Sequence, residues 1–395
     1  MRKSVVAFLG LVAVMAAVPI TTASAGLSGP KSTIAVFGDS PYAGPCTTAP
    51  PYTCPVSAQF AATDAFVGLI NSDPDVGRVL HIGDIHSGKE YCTQDFDQKI
   101  FDKWTRFDDP LVYTPGDNEW SDCHKTGEGG GLFYDSPANT QPVDYANGNP
   151  VANLALVRSI FFPQPGVTLG NHKQIVLSQK YLYDRRYPTD ANYVENVIWV
   201  QSDVLFVTIN VPGGSNNDQD VWYGAATASQ AQIDERTQRT GADTRWLDVA
   251  FFLAKLGRVK GVVIGTQADM WDPEKFVSPA STHQEGYEPI VQSVANHTAD
   301  FGKPVLMFNG DSHVYRSDNP LDPTASCVTE SGTCTSVAFM HPGYNVSNFH
   351  RVVVHGSTPK MEWLKLTVDP STNAPQGSTS FGPFAWSRQI TALPN

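Results

Sequence analysis

Short apolar runs that end in polar residues recur along the chain. Four of these runs, rich in Val, Ile, Leu and Phe, end at a Gly-Asp pair, and a fifth ends at Gly265-Thr266-Gln267. The four pairs are Gly38-Asp39, Gly83-Asp84, Gly116-Asp117 and Gly310-Asp311. A short continuous apolar run is typical of a strand that is buried on both faces. The pattern therefore predicts five buried strands with polar side chains at their ends.

Segments with helical spacing of apolar residues lie between these strands. They predict helices at 57–71, 95–107, 152–162 and 242–256. Alternation of strands and helices predicts an α/β fold with the helices outside the sheet. Two further segments, 196–211 and 348–368, have the pattern of hairpins and predict a second, partly antiparallel sheet. Long loops are expected at 121–150, 212–240 and 268–285.

The first 25 residues have the features of a secretory signal peptide. Arg2 and Lys3 precede an apolar run from Val5 to Val18, and Ala23-Ser24-Ala25 fits a cleavage site. The run is shorter than the roughly 20 residues that span a bilayer, and an uncleaved anchor is the alternative. The sequence predicts a signal peptide at 1–25 and one domain at 27–395. The protein is expected to be secreted, extracellular or periplasmic, with no membrane anchor after cleavage.

Six cysteines agree with export, because disulfides persist in oxidising compartments. Pairing of nearest neighbours gives Cys46–Cys54, Cys92–Cys123 and Cys327–Cys334, which is one of many connectivities that six cysteines allow. A zinc site is the alternative, but the sequence has no Cys-x-x-Cys spacing to support it. Three disulfides are therefore expected.

Charge limits the classes of partner. The chain has 395 residues with 27 Lys and Arg against 39 Asp and Glu, so the formal net charge is −12 at pH 7. Its long-range field repels phosphate, which disfavours binding to nucleic acid or to an anionic membrane. A small phosphorylated substrate is compatible with this charge if a bound metal reverses the field locally. The charge therefore predicts no nucleic-acid partner and leaves a small phosphorylated substrate open.

The polar strand ends predict a metal site. Ligands of open α/β sheets bind beyond the carboxyl ends of the strands, so these side chains should converge. Several carboxylates packed together repel one another unless a cation lies among them. Because the candidate ligands are mostly oxygen donors, Mn²⁺, Mg²⁺ or Ca²⁺ is favoured over Zn²⁺, and iron is a further candidate.

The order of the polar segments resembles that of the calcineurin-like metallophosphoesterases. The segments run Asp39, Gly83-Asp84, Gly116-Asp117-Asn118-Glu119, Gln267 and Gly310-Asp311-Ser312-His313. The resemblance implies a two-sheet β-sandwich flanked by helices, in four αββα layers, with two divalent metals at the strand ends. It also implies hydrolysis of a phosphomonoester or phosphodiester by water that the metals activate. The Gly-Asp-Asn-Glu-Trp block looks like a divergent, secreted branch of that family.

The resemblance assigns ligands of the first metal by position. Asp39 and His313 correspond to ligands of this metal, and Asp84 corresponds to the ligand that bridges both metals. Pro41 stands where the first motif of the family has His, and Ser87 stands where the second motif ends in Asp. Most of the residues that replace the family's usual ligands are oxygen donors, which predicts a changed site rather than an erased one.

The remaining positions also depart from the family pattern. Asp117 takes the place of the ligand Asn, Gln267 that of a lone His, and Asp311 that of the first His in the last motif. Asn118 takes the place of the general-acid His, but a shift of one residue would make Asn118 the ligand, so Asp117 and Asn118 both stay candidates. Glu119 is expected to orient its neighbours rather than to bind metal.

The catalytic residues that the resemblance implies are Asp84, Asn118 and His313. Asn118 cannot donate a proton as an imidazolium does, so His313 or water would protonate the leaving group. His86 and His124 lie beside two of the motifs and are candidates to replace the missing imidazoles. Two alternatives stay open: a non-catalytic ligand-binding protein on the same scaffold, and a glycoside hydrolase with paired carboxylates.

Overall fold

The computed structural model describes residues 29–42, 58–125, 144–217, 220–273, 284–357 and 360–393. Within these ranges the strands form two sheets, one of six strands and one of nine. The predicted signal peptide and the predicted Cys46–Cys54 pair lie outside the described residues.

The six-stranded sheet carries three of the predicted strands. Its members are β1 (Ser32–Phe37), β2 (Val76–His81), β3 (Leu111–Tyr113), β13 (Glu362–Val368), β14 (Ser380–Phe381) and β15 (Phe384–Ile390). Their order is β14-β15-β13-β1-β2-β3. Because β1, β2 and β3 are parallel, their carboxyl ends lie at one edge of the sheet. β13 runs antiparallel to β1.

The nine-stranded sheet carries the other two predicted strands, β7 and β8. Its members are β4 (Leu177–Ser178), β5 (Val197–Gln201), β6 (Val204–Thr208), β7 (Gly261–Gly265), β8 (Val305–Asn309), β9 (Arg316–Asp318), β10 (Val328–Thr329), β11 (Gly332–Thr333) and β12 (Phe349–Val353). Their order is β11-β10-β9-β12-β8-β7-β6-β5-β4. β6, β7, β8 and β12 are parallel, whereas the strands at both sides pair antiparallel.

Helices cover the outer face of each sheet. The described helices are α1 (Ala58–Asn71), α2 (Gln94–Trp104), α3 (Pro150–Phe161), α4 (Gly213–Asn217), α5 (Gln230–Leu256) and α6 (Glu288–Phe301). Residues of α1, α2 and α3 pack on the six-stranded sheet, and residues of α5 and α6 pack on the nine-stranded sheet. α4 is a single turn in which Gly214, Ser215 and Asn216 have positive φ, so it is left-handed.

The side chains of β1 show why the fold has four layers. Ile34 and Val36 point into the core between the two sheets, whereas Ala35 and Phe37 point into the core beneath the helices. Successive side chains of a strand face opposite sides, so a strand that is apolar at every position needs a layer on each side. The predicted αββα architecture is confirmed.

One predicted loop is wrong. The loop expected at 212–240 contains the first half of α5, which begins at Gln230 rather than at Ala242. This half carries little apolar sequence, and its buried positions include the polar residues Gln232 and Arg239. Polar contacts with distant segments, and not an apolar stripe, hold this half of the helix in place. The other predicted helices are confirmed with small shifts of their ends.

One predicted hairpin is confirmed and the other is wrong. β5 and β6 are joined by Ser202 and Asp203, which both have positive φ, as a tight two-residue hairpin turn requires. Segment 348–368 is not a hairpin, because β12 pairs with β8 in one sheet and β13 pairs with β1 in the other. The connection crosses between the sheets, and on its way the backbone N–H of Ser357 donates to the carbonyl of Asp39 at 2.7 Å.

Two of the predicted disulfides are confirmed. Cys92 pairs with Cys123, and Cys327 pairs with Cys334. The first bond links the segment before α2 to the polar block that follows β3. No helix among the described residues is long and apolar enough to cross a membrane.

A buried charge network supports the end of β8. Arg351 is fully buried on β12, donates to the two carboxylate oxygens of Asp318 at 2.9 Å each, and also donates to Asp269. Asp269 accepts from the hydroxyl of Ser312 at 2.8 Å, and its N–H donates to Asp311 at 3.2 Å. One cation therefore compensates two buried carboxylates and connects them to the last polar segment.

Replacing Arg351 should destabilise the fold strongly. Arg351→Met leaves Asp269 and Asp318 buried without their cation, so we expect the free energy of unfolding to fall by about 3–5 kcal/mol. Chemical denaturation measures this change. The control is Lys255→Met, which removes only an exposed pair with Asp300 and should leave the denaturation midpoint nearly unchanged. Equal stability of Arg351→Met and the wild type would contradict the assigned role.

Candidate metal centre

Three of the strand-end aspartates adopt a left-handed backbone conformation. φ is 48° at Asp39, 59° at Asp84 and 72° at Asp311. Asp and Asn tolerate this conformation better than other residues with a side chain, because the short polar group can bond locally. The chain therefore turns sharply as each strand ends, and the carboxylate lies at the edge where the sheets meet.

Two glycines of the Gly-Asp pairs make room for carboxylates of other strands. A Cβ added at Gly116 would lie 1.9 Å from Oδ1 of Asp84, and one added at Gly310 would lie 2.2 Å from Oδ2 of Asp39. Neither position can hold a side chain without displacing a carboxylate. Each of these two glycines leaves room for the aspartate at the end of another strand, and not for the aspartate that follows it in the sequence.

Asp39, Asp84 and His313 form a compact group of possible metal ligands. One ligand atom from each lies within 4.8 Å of the others. Oδ1 of Asp39 is 3.6 Å from Nε2 of His313, and Oδ2 of Asp39 is buried without a hydrogen-bond partner among the described residues. Both aspartates are fully buried, whereas the His313 side chain is 35% exposed. Two carboxylates, an imidazole and an unpaired buried oxygen fit a divalent cation.

Asp84 lies at the centre of a wider hydrogen-bond cluster. Its Oδ2 accepts from the hydroxyl of Tyr42, from Nδ2 of Asn118 and from Nε2 of Gln267, each at 3.1 Å. The Tyr42 oxygen is also 3.2 Å from Nε2 of His313. Tyr42 was not predicted from the sequence, although its position three residues after Asp39, in the turn that follows β1, was a usable signal.

The remaining candidates join the same cluster. Nε2 of Gln267 also donates to Oδ1 of Asp117 at 3.0 Å, and Oε1 of Gln267 accepts from the N–H of Gly213 at 2.9 Å. The N–H of Asp311 donates to Oδ1 of Asp39 at 2.9 Å. The structure thus brings together all seven residues that the sequence predicts as metal ligands: Asp39, Asp84, Asp117, Asn118, Gln267, Asp311 and His313.

Glu119 and Trp120 lie behind the site. Oε1 of Glu119 accepts from the N–H of Gly116 at 2.7 Å and from the hydroxyl of Tyr113 at 2.5 Å, so it holds the turn that carries Asp117. Trp120 is fully buried with the guanidinium of Arg239 5.4 Å from its ring centre. Both residues support the site rather than face it.

The two histidines considered as replacements lie outside the ligand group. Nδ1 of His86 is 3.0 Å from the carbonyl of Ser87, and Nδ1 of His124 accepts from the N–H of Tyr223 at 3.0 Å. Burial lowers the pKa of His86 to about 4. Among the described residues, the structure adds neither imidazole to Asp39, Asp84 and His313.

Burial raises the pKa of the clustered carboxyl groups. It raises the pKa of Asp39 from 3.8 to about 8, with a further increase from the charge of Asp311. It also raises the pKa of Asp117 to about 8, with the charge of Asp122 adding to the effect. The pKa of Asp84 lies well above its usual range because of burial and then because of the charge of Asp117. A cation that binds here must displace protons from these groups.

Known proteins resemble this chain in sequence pattern. The family model described as calcineurin-like phosphoesterase matches residues 32–244. No curated protein matches the chain.

Two solved structures are similar to the chain. A purple acid phosphatase from yellow lupin (Lupinus luteus) seeds has 10% identity and a TM-score of 0.41, with 92% of this chain and 52% of that chain covered. A dimetal phosphatase from Danio rerio has 10% identity and a TM-score of 0.43, with 85% of this chain and 94% of that chain covered. The chain therefore spans about half the length of the lupin phosphatase.

The raised carboxyl pKa values predict how the stability of the metal-free protein depends on pH. A carboxyl whose pKa is higher in the folded state binds more protons folded than unfolded, so its stabilising contribution falls as pH rises. For Asp39, with a pKa of 3.8 unfolded and about 8 folded, the fall spans that interval. We expect the free energy of unfolding of metal-free protein to decrease from pH 5 to about pH 8, measured by chemical denaturation.

Added Mn²⁺ provides the control for this pH dependence. A bound cation replaces the protons, so the loss of stability with rising pH should disappear or reverse when Mn²⁺ is present. Metal-free protein whose stability is constant or rises over the same range would contradict the assignment of protons to these carboxyl groups.

Proposed function

We propose that this chain, which belongs to the calcineurin-like phosphoesterase family, is a secreted, metal-dependent hydrolase of phosphate esters. The observation that carries the proposal is the buried group of Asp39, Asp84 and His313 at the edge where the two sheets meet. Its substrate is a small phosphomonoester or phosphodiester, because the acidic chain disfavours extended polyanions.

A divalent cation would be held by Asp39, Asp84 and His313, with Asn118 as a further oxygen donor. Such a cation neutralises phosphoryl oxygens and lowers the pKa of water toward neutrality. The cluster of raised carboxyl pKa values supports this assignment, since these groups carry protons wherever a cation does not compensate them. Mn²⁺, Mg²⁺ and Ca²⁺ suit the oxygen-rich set best.

Three side chains of the site hold protons and orient ligands. Tyr42 is buried, and burial raises its pKa well above its usual value, so its hydroxyl remains a donor to Asp84. Asn118 donates its amide protons to Asp84 and to the oxygen of Tyr42 at 3.2 Å, and it is half-buried. Its amide cannot protonate a leaving group. Water supplies that proton in the proposed reaction.

Secretion is part of the same proposal. The Cys92–Cys123 and Cys327–Cys334 disulfides support an oxidising location, where such bonds persist. The basic and apolar start of the sequence supports export as well.

A second candidate function follows from Asn118. A site with an amide at the place of the family's general acid suits a protein that binds a phosphorylated ligand through the metal without hydrolysing it. Stoichiometric metal and ligand binding without turnover would favour this alternative.

Replacing Asp84 tests the proposed function. Asp84→Asn removes a charge from the centre of the ligand group, so metal affinity and turnover should each fall by more than about 100-fold. Hydrolysis of nitrophenyl phosphate and of bis-nitrophenyl phosphate, with Mn²⁺, Mg²⁺ or Ca²⁺ added, measures turnover. Equilibrium dialysis measures metal binding.

Asp75→Asn is the matched control. It makes the same chemical change at an exposed residue that bonds Lys365, so metal binding and turnover should be unchanged. Wild-type protein that binds no divalent metal and hydrolyses neither ester would sink the proposal.

A further inference from the structure

We infer that the site holds a single divalent cation, and that the amide of Gln267 joins Asp84 and Asp117 in place of a second one. The inference rests on the proposed function as far as the first cation is concerned. It departs from the two-metal centre that the sequence resemblance implies, because Asp117, Gln267 and Asp311 do not together fit a second cation.

The orientation of the Gln267 amide is fixed by its surroundings. The N–H of Gly213 lies 2.9 Å from one end of the amide, and only the carbonyl oxygen Oε1 can accept from it. Nε2 must then point the other way, where it donates to Oδ2 of Asp84 at 3.1 Å and to Oδ1 of Asp117 at 3.0 Å. An NH₂ group has no lone pair for a metal, so Gln267 presents donors where a ligand would be needed.

A reversed Gln267 would be costly. Turning Oε1 toward the carboxylates would place it against Asp84 and Asp117 and would set Nε2 against the N–H of Gly213. The amide is fully buried, so each donor left without an acceptor would cost about 1–3 kcal/mol. Gln267 therefore bridges the two carboxylates in the way that a cation would, but as a neutral group.

The backbone that fixes Gln267 is itself held firmly. Arg239 is fully buried, and it donates to the carbonyl of Asn210 at 3.2 Å, to the carbonyl of Asn216 at 3.3 Å and to the side chain of Asn216. Nδ2 of Asn216 donates to Thr240 at 2.9 Å. These bonds anchor both ends of the segment that contains Gly213, so the N–H that orients Gln267 cannot move aside easily.

Asn118 provides the contrast within the same site. Its Nδ2 also points at Asp84, but its other partner is the hydroxyl of Tyr42, which can donate as well as accept. A turn of the Asn118 amide would thus keep a hydrogen bond to Tyr42 and present an oxygen to a cation. Of the two amides, Asn118 can become a ligand and Gln267 cannot.

The positions of the carboxylates also favour one cation at Asp39, Asp84 and His313. Among the described residues, Asp39, Asp84 and His313 make up the one group in which three ligand atoms come together. Asp117 and Asp311 face each other across Gly213, where an added Cβ would lie 2.1 Å from Oδ2 of Asp117 and 3.1 Å from Oδ1 of Asp311. At this position Gln267 presents its NH₂ group to Asp84 and Asp117 and supplies no ligand oxygen.

Metal stoichiometry tests this inference without reference to turnover. Full-length protein freed of metal is titrated with Mn²⁺, and bound ions are counted by equilibrium dialysis with elemental analysis. Electron paramagnetic resonance then distinguishes an isolated Mn²⁺ from an exchange-coupled pair. We expect about one tightly bound Mn²⁺ per chain with the spectrum of an isolated ion.

The variant Gln267→Glu should change this result. It replaces the donating NH₂ by an oxygen and adds a charge beside Asp84 and Asp117, so we expect a second Mn²⁺ per chain and a coupled spectrum. Gln230→Glu adds the same charge at an exposed residue on α5 and should keep one ion.

The outcomes separate this inference from the proposed function. Two coupled ions in the wild type would overturn the inference while supporting the proposed function. A Gln267→Glu variant that is folded but still binds one ion would overturn the role assigned to the amide. A wild type without any bound Mn²⁺ would overturn both, whereas one isolated ion without hydrolysis would reject only the catalytic function.

Discussion

The burial of several carboxylates at one edge is the constraint on which the rest of the site depends. Asp39, Asp84 and Asp117 are all buried, and each has a pKa well above its usual range because charge is costly away from water. Such a cluster persists only if protons, hydrogen-bond donors or a cation compensate it. The donors supplied by Tyr42 and Gln267, and the cation proposed here, answer this one requirement.

The fold brings the carboxyl ends of strands from both sheets together at this site. β1, β2 and β3 deliver Asp39, Asp84 and Asp117 from one sheet, and β7 and β8 deliver Gln267 and Asp311 from the other. Close approach of these ends is possible because glycines lie where a side chain would collide with a carboxylate. The connection from β12 to β13 links the two sheets, and its residue Ser357 donates a backbone N–H to the carbonyl of Asp39.

Rigid supports surround the cluster on each side. Arg351 ties the end of β8 to the interior through Asp269, and Glu119 holds the turn at Gly116. The disulfide Cys92–Cys123 holds the segment after Asn118 against the one before α2. Because each support fixes a donor or a carboxylate separately, one amide can stay locked while another remains able to turn. This difference explains why the position of Asn118 suits a cation, whereas the position of Gln267 does not.

The sequence by itself determined the features that depend on local pattern. Apolar runs predicted the strands, the Gly-Asp pairs marked where they end, and pairing of successive cysteines along the chain predicted the pairs Cys92–Cys123 and Cys327–Cys334. The order of the polar segments also predicted which seven side chains would meet. These predictions succeed because local structure restricts which residues fit. A strand that is buried on both faces needs apolar residues, and a turn packed against a neighbouring strand needs glycine.

Only the tertiary structure decided the features that depend on distant partners. It separated β12 and β13 into different sheets, extended α5 through the polar contacts of Arg239, and placed Tyr42 between Asp84 and His313. It also decided which atom of Gln267 faces the carboxylates, because that orientation depends on one backbone N–H more than fifty residues away, at Gly213. The sequence shows that residue 267 carries an amide. Whether that amide acts as a hydrogen-bond donor or as a metal ligand depends on the partner that the fold places at its carbonyl end.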